Sequence, residues 1–144
     1  MSEAVASKLR SLIEEKYGDC VVFAVLFGSV ATGRAGPLSD VDVAVKIADN
    51  CDPLAFIADF SVDASDALGV NQVDVLIISD DLPYELKYRA LAGKLIYAKD
   101  KGAYIDELVK AFSLWADFQI FLKKTGVRER FAKTLWEKSK RSSP

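Results

Sequence analysis

Residues 21–42 read VVFAVLFGSVATGRAGPLSDVD, and the fold turns on how this stretch divides. Val21–Phe27 is an uninterrupted apolar run of strand length, suited to a strand covered on both faces. It breaks at Gly28-Ser29, and a loop of small residues follows through Gly33, Gly36 and Pro37. Asp40–Ile47 (DVDVAVKI) then alternates polar and apolar at its start, the pattern of a strand with one exposed face. Residues two apart in a strand share a face, so Asp40 and Asp42 project side by side while Val41 and Val43 enter the core.

Working outward, residues 3–17 form an amphipathic helix pattern with Val5, Leu9, Leu12, Ile13 and Tyr17 on one side and Gly18 at its end. The next helix is punctuated at both ends: Asp52 caps it, Pro53 occupies its first position and Gly69 stops it. Gln72–Ile78 (QVDVLII) is a third strand. Asp81 and Pro83 open a helix that Gly93 closes, and Leu95–Ala98 forms a short edge strand. The last helix spans 103–124 with Tyr104, Leu108, Phe112, Trp115, Phe118 and Leu122 near heptad spacing. Helices and strands alternating over this length predict an α/β (α+β) domain of two layers, a mixed sheet with flanking helices and a long C-terminal helix. With 144 residues, no internal repeat and no linker, the chain reads as one domain, residues 1–144.

Composition excludes several classes of function. Histidine is absent, which removes His-dependent nucleophilic triads, His-ligated zinc and imidazole acid–base chemistry. The net charge of −2 argues against a protein whose whole surface grips nucleic acid. From Lys123 onward eight Lys or Arg against two acidic residues give +6, so the remainder carries −8. That basic end reads first as a solvated helix end and tail, and secondly as a contact for an acidic partner or RNA. No apolar run is long enough to span a bilayer and no signal peptide is visible, so the chain is expected to be cytoplasmic. Cys20 and Cys51 have neither framework nor metal spacing and are expected to be free thiols.

The chemistry concentrates in carboxylates. Two aspartates on one strand face repel, which raises the pKa of at least one unless a cation lies between them. They could simply cap a turn and solvate a strand end, but aspartate is disfavoured in strands. Asp74, inside the apolar run QVDVLII, is a third carboxylate where an unpaired buried charge would be costly. If the second and third strands are neighbours, Asp74 falls beside the first pair. An all-oxygen donor set favours magnesium or manganese over zinc. The Gly28-Ser29 turn could hold an anion, glycine permitting close approach of a phosphate to the backbone.

Gly28, Ser29, Asp40 and Asp42, in the spacing Gly-Ser-x10-Asp-x-Asp, resemble the signature of the DNA polymerase β-like nucleotidyltransferase superfamily. The small size and the segment 82–100 (LPYELKYRALAGKLIYAKD) look like its minimal nucleotidyltransferase (MNT) branch, whose members are often encoded beside HEPN proteins. The resemblance covers about residues 20–120. It implies a nucleotidyltransferase core at about 20–100, followed by the C-terminal helix and basic tail at about 103–144. It further implies two magnesium ions on Asp40, Asp42 and Asp74, with manganese as a substitute, and ATP as the nucleotide substrate. Asp74 would ligate the ion nearer the attacking hydroxyl, Gly28 and Ser29 would bind the β- and γ-phosphates, and pyrophosphate would leave in line. Arg34 could stabilise the departing pyrophosphate or be an exposed loop arginine, and Ser39 could orient Asp40 or only form the turn. Lys87 and Arg89 are triphosphate candidates by residue type alone.

Three functions fit this reading. The first is an antitoxin that places AMP on a tyrosine of a HEPN toxin, with Val109, Ala116, Ile120 and Phe121 of the last helix offering apolar surface for a partner or a homodimer. The second is a small-molecule nucleotidyltransferase of the aminoglycoside-modifying sort. The third is an antitoxin that acts by binding alone.

Overall fold

The computed structural model describes residues 2–28 and 40–125. The chain begins with α1 (Ser2–Leu12), which runs into a single π-helical turn, Ile13–Tyr17. Then follow β1 (Val21–Phe27), β2 (Val41–Ile47), α2 (Pro53–Leu68), β3 (Val73–Ile77), α3 (Tyr84–Leu91), β4 (Lys94–Ala98) and α4 (Lys101–Thr125). Every expected element is present, with ends differing by a few residues, as is usual where caps and last turns fray. The capping signals of α2 act as the sequence reads: the Asp52 carboxylate accepts from the Leu54 N–H at 3.2 Å, and Gly69 closes the helix at φ 66° with its N–H on the Ser65 carbonyl.

The strands form one mixed sheet in the order β3-β2-β1-β4. β1 pairs antiparallel with both β2 and β4, and β2 pairs parallel with β3 across the α2 crossover. The two central strands are the most apolar, which suits strands buried on both faces. One face packs Ala24, Leu26, Val43 and Val45 against Leu9 and Ile13 of the first helix and Phe56, Phe60 and Ala64 of α2. The other packs Phe23, Val25 and Ala44 against Ala90 and Leu91 of α3 and Ala111 of α4. Helices therefore cover both faces, and the domain has three layers where two were expected. Both sets of side chains on β1 are apolar, whereas on β2 the second face is carried by Ala44 between Asp42 and Lys46.

Two further expectations change. The stripe on α4 divides: Tyr104 and Leu108 pack on the core, whereas Phe112 and Phe118 stay exposed and meet α3 through Tyr88 and Tyr84. Cys20 and Cys51 are not free thiols but a disulfide with Cα atoms 5.9 Å apart. Antiparallel pairing of Val21 with Ile47 brings the start of β1 beside the end of β2, and the Ala48 N–H bonds the Cys20 carbonyl at 2.8 Å. A separation of 31 residues hides that contact from a linear reading. Among the described residues no helix is long and apolar enough to cross a membrane.

Candidate active site

The site lies at the end of β1 and the starts of β2 and β3. Phe27 pairs with Asp42, and Asp42 pairs in register with Asp74 across the parallel β2–β3 ladder. Partners in register share a face, so the two carboxylates project together from the sheet side that carries α3 and α4. Val41 and Val43, alternating with Asp42, are fully buried on the opposite side and fix its direction. Asp40 is exposed and stands two residues before Asp42.

Gly28 closes the arrangement. It follows Phe27 with φ 79°, a left-handed conformation that costs an L side chain about 1–2 kcal/mol. A β-carbon there would lie 2.5 Å from Asp42 Oδ2 and 3.3 Å from its Cγ. Glycine is thus required twice, by the turn and by the carboxylate beneath it. Only a residue without a side chain lets the turn at position 28 pass over the Asp42 carboxylate.

The electrostatics of the site are set by the aspartates themselves. Partial burial raises the Asp42 pKa first, and the charges of Asp74 and Asp40, with an Asp74 hydrogen bond, raise it further. Among the described residues no lysine or arginine pairs with Asp40, Asp42 or Asp74. The amide of Gln72 donates to Asp74 Oδ1 at 2.5 Å and orients it. Gln72 escaped the sequence reading, although it stands two residues before Asp74, the spacing that puts strand side chains on one face.

Among the described residues no group of three or more His, Cys, Asp or Glu is placed to hold a metal ion together. What they present is a coupled aspartate pair with a third aspartate acting on it electrostatically. This donor set suits a hard divalent cation, since such an ion would relieve the repulsion that raises Asp42. Ser29, Arg34 and Ser39 lie outside the described residues. Lys87 and Arg89 are engaged elsewhere: Lys87, almost wholly buried, bonds Glu107 of α4 at 3.4 Å, and Arg89 bonds Glu85 one turn away at 3.1 Å.

A mixed sheet with paired aspartates under a glycine turn is compatible with a nucleotidyltransferase domain, and comparison with known proteins supplies the class. The family model described as polymerase β, nucleotidyltransferase matches residues 7–102. The chain belongs to that family. Comparison with curated proteins gives no match. Among solved structures, a chain from a toxin–antitoxin complex with AMP-PNP superposes with a TM-score of 0.65 at 21% identity, covering 87% of this chain and 98% of that one. A chain from a tri-AMPylated Shewanella oneidensis HEPN toxin in complex with its MNT antitoxin gives 0.61 at 20% identity, covering 90% and 99%. A chain from the toxin–antitoxin pair MntA–HepT gives 0.60 at 19% identity, covering 89% and 98%. At these identities the likeness is one of fold.

Proposed function

We infer that this chain is a metal-dependent nucleotidyltransferase that moves AMP from ATP to a tyrosine hydroxyl of a HEPN-domain toxin, acting in the cytoplasm as its antitoxin. The observation that carries the reading is the in-register Asp42–Asp74 pair beneath Gly28, with the Asp42 pKa raised by its carboxylate neighbours. Asp40, Asp42 and Asp74 would hold two magnesium ions, with manganese as a substitute, which would neutralise triphosphate charge and polarise the α-phosphoryl group. Gly28 leaves room for phosphate oxygens against the backbone. Gln72 donates to Asp74 Oδ1 and would limit the orientations of that carboxylate. Ser29, Arg34 and Ser39 are assigned to the triphosphate side by their place in the signature. In the transfer, the acceptor hydroxyl gives up its proton to water, its oxygen bonds to the α-phosphorus as the bond to the α–β bridging oxygen breaks, and pyrophosphate leaves. Positioning and charge neutralisation suffice for this chemistry, and histidine is not required.

The partner assignment is supported by fold neighbours that come from toxin–antitoxin complexes, one with an AMPylated HEPN toxin. It is also supported by the outer face of α4, where Val109 and Ile120 are more than half exposed. The test is to incubate the purified protein with magnesium, α-labelled ATP and the HEPN protein encoded beside it. Label on the partner's tyrosine, abolished by Asp42→Ala, is the expected result. Label confined to a small molecule, or neutralisation of the toxin by the Asp40→Ala/Asp42→Ala variant, would refute the protein-directed reading.

A further inference from the structure

Among the described residues β3 is an edge of the sheet, and it lies immediately beside the candidate site. The Gln72 carbonyl accepts from the Val41 N–H at 3.3 Å, and the Ile78 N–H donates to the Val45 carbonyl at 2.9 Å. Even-numbered residues of β3 therefore bond to β2. By the alternation of a strand, Val73, Val75 and Ile77 turn their N–H and C=O groups outward, toward the open edge. Natural proteins blunt such edges with lysine, proline or a bulge, and β3 carries none of these.

A groove of about 540 Å³ runs along this edge between β3 and α2, lined by Ser61, Ser65 and Asp66 on one side and Gln72, Asp74 and Val75 on the other. Asp74 is thus both a wall of the groove and a member of the aspartate pair. The charged residues lining the groove are Asp66 and Asp74, and no lining residue among those described is cationic. Asp63 is occupied by Tyr17 and Lys16, whereas Asp59 and Asp66 are exposed.

We propose that the groove between α2 and β3 binds the acceptor as an extended, basic peptide segment, which adds as a strand to the open edge of β3 and delivers its hydroxyl to the aspartate pair. The inference rests on the transferase reading for the identity of the acceptor and deepens it by naming where the acceptor lies. Backbone pairing along Val73–Ile77 supplies register, and the acidic wall selects cationic side chains. The groove reaches Asp74, so a segment lying in it comes up to the aspartate pair.

Binding, measured apart from turnover, tests this. The probe is a fluorescent twelve-residue peptide with one tyrosine among lysines and arginines, titrated against the full chain. Two further peptides serve as comparisons, one acidic and one basic but N-methylated at alternate residues. The basic peptide is expected to bind, the acidic one not, and alternate N-methylation in the pairing register is expected to weaken binding about tenfold or more, the scale of one or two lost hydrogen bonds. The exposed pair Val62→Lys/Asp66→Lys is expected to weaken the basic peptide similarly while leaving AMP-PNP binding unchanged. Equal affinity for the methylated and unmethylated peptides in every register overturns strand addition, and unchanged binding to Val62→Lys/Asp66→Lys overturns the groove. AMP-PNP titration in the same samples reports separately on the transferase reading, so failure of one is distinguishable from failure of the other.

Discussion

Asp42 carries the heaviest burden of any residue in the fold, being half-buried, beside Asp74 and beneath Gly28. Folding raises its pKa, so the folded protein holds the Asp42 proton more tightly than the unfolded chain does. That contribution favours the fold fully below the ordinary carboxylate value of about 4, and it is lost as pH rises through the raised folded value. In metal-free solution Asp42→Asn should therefore raise the melting temperature at pH 7 and flatten its decline above the acid range. The same variant should lose transfer activity by more than about a hundredfold, the upper scale seen when even outer partners of a metal ligand are removed. Gly28 offers a controlled comparison with Gly69. Both have positive φ, but only at Gly28 would a new β-carbon meet the Asp42 carboxylate, whereas Gly69 has open space around it. Alanine at Gly69 should cost about 1–2 kcal/mol and leave nucleotide binding intact. Alanine at Gly28 should cost at least as much and also weaken AMP-PNP binding, as denaturant melts and titration would show. Asp40, Asp42 and Gly28 were legible in the sequence because a two-residue period and a glycine break are local signals. The bond from Gln72 to Asp74 was not legible, since a glutamine at the start of a strand reads as solvated surface.

At the scale of elements, the disulfide and the buried ion pair are the contacts that linear reading missed. Both join segments far apart in sequence, and only the antiparallel return of β2 and the packing of α3 on α4 bring them together. Cys20–Cys51 closes a loop of roughly thirty residues, for which chain entropy alone gives about 3–4 kcal/mol. Reduction, or Cys51→Ser, should lower stability by up to that amount in urea melts, a cost the protein would meet in a reducing cytoplasm. Lys87 and Glu107 are both largely buried at 3.4 Å. Lys87→Ala should cost about 3–5 kcal/mol by leaving Glu107 without its partner, whereas Lys87→Met with Glu107→Leu should be close to neutral. A double-mutant cycle would separate the two. The order of the elements was readable because capping residues punctuate them, Asp52-Pro53 and Gly69 above all. The number of layers was not, because a strand apolar on both faces reads the same whether one or two helical layers cover it.

For the whole molecule, the sheet's two faces serve one end. The helices α1 and α2 anchor β2 and β3 from one side, and the aspartates emerge on the other, beside the glycine turn that ends β1. The polymerase β family model covers this core and stops at residue 102, just inside α4. The outer part of α4 leaves Val109, Leu114 and Ile120 at least half exposed. Val109→Glu with Leu114→Glu should change the stability of the isolated chain by less than about 0.5 kcal/mol. Copurification with the HEPN partner should be lost, as a pull-down from co-expressing cells would reveal. The most direct test of the nucleotidyltransferase assignment follows pyrophosphate and α-label together, with magnesium, ATP and the copurified complex. Stoichiometric pyrophosphate with label on the partner, both absent for Asp42→Asn and both lost with a chelator, is the expected result. No pyrophosphate and no nucleotide binding with any of the four nucleoside triphosphates would contradict it, and would leave a nucleotidyltransferase fold used for binding alone.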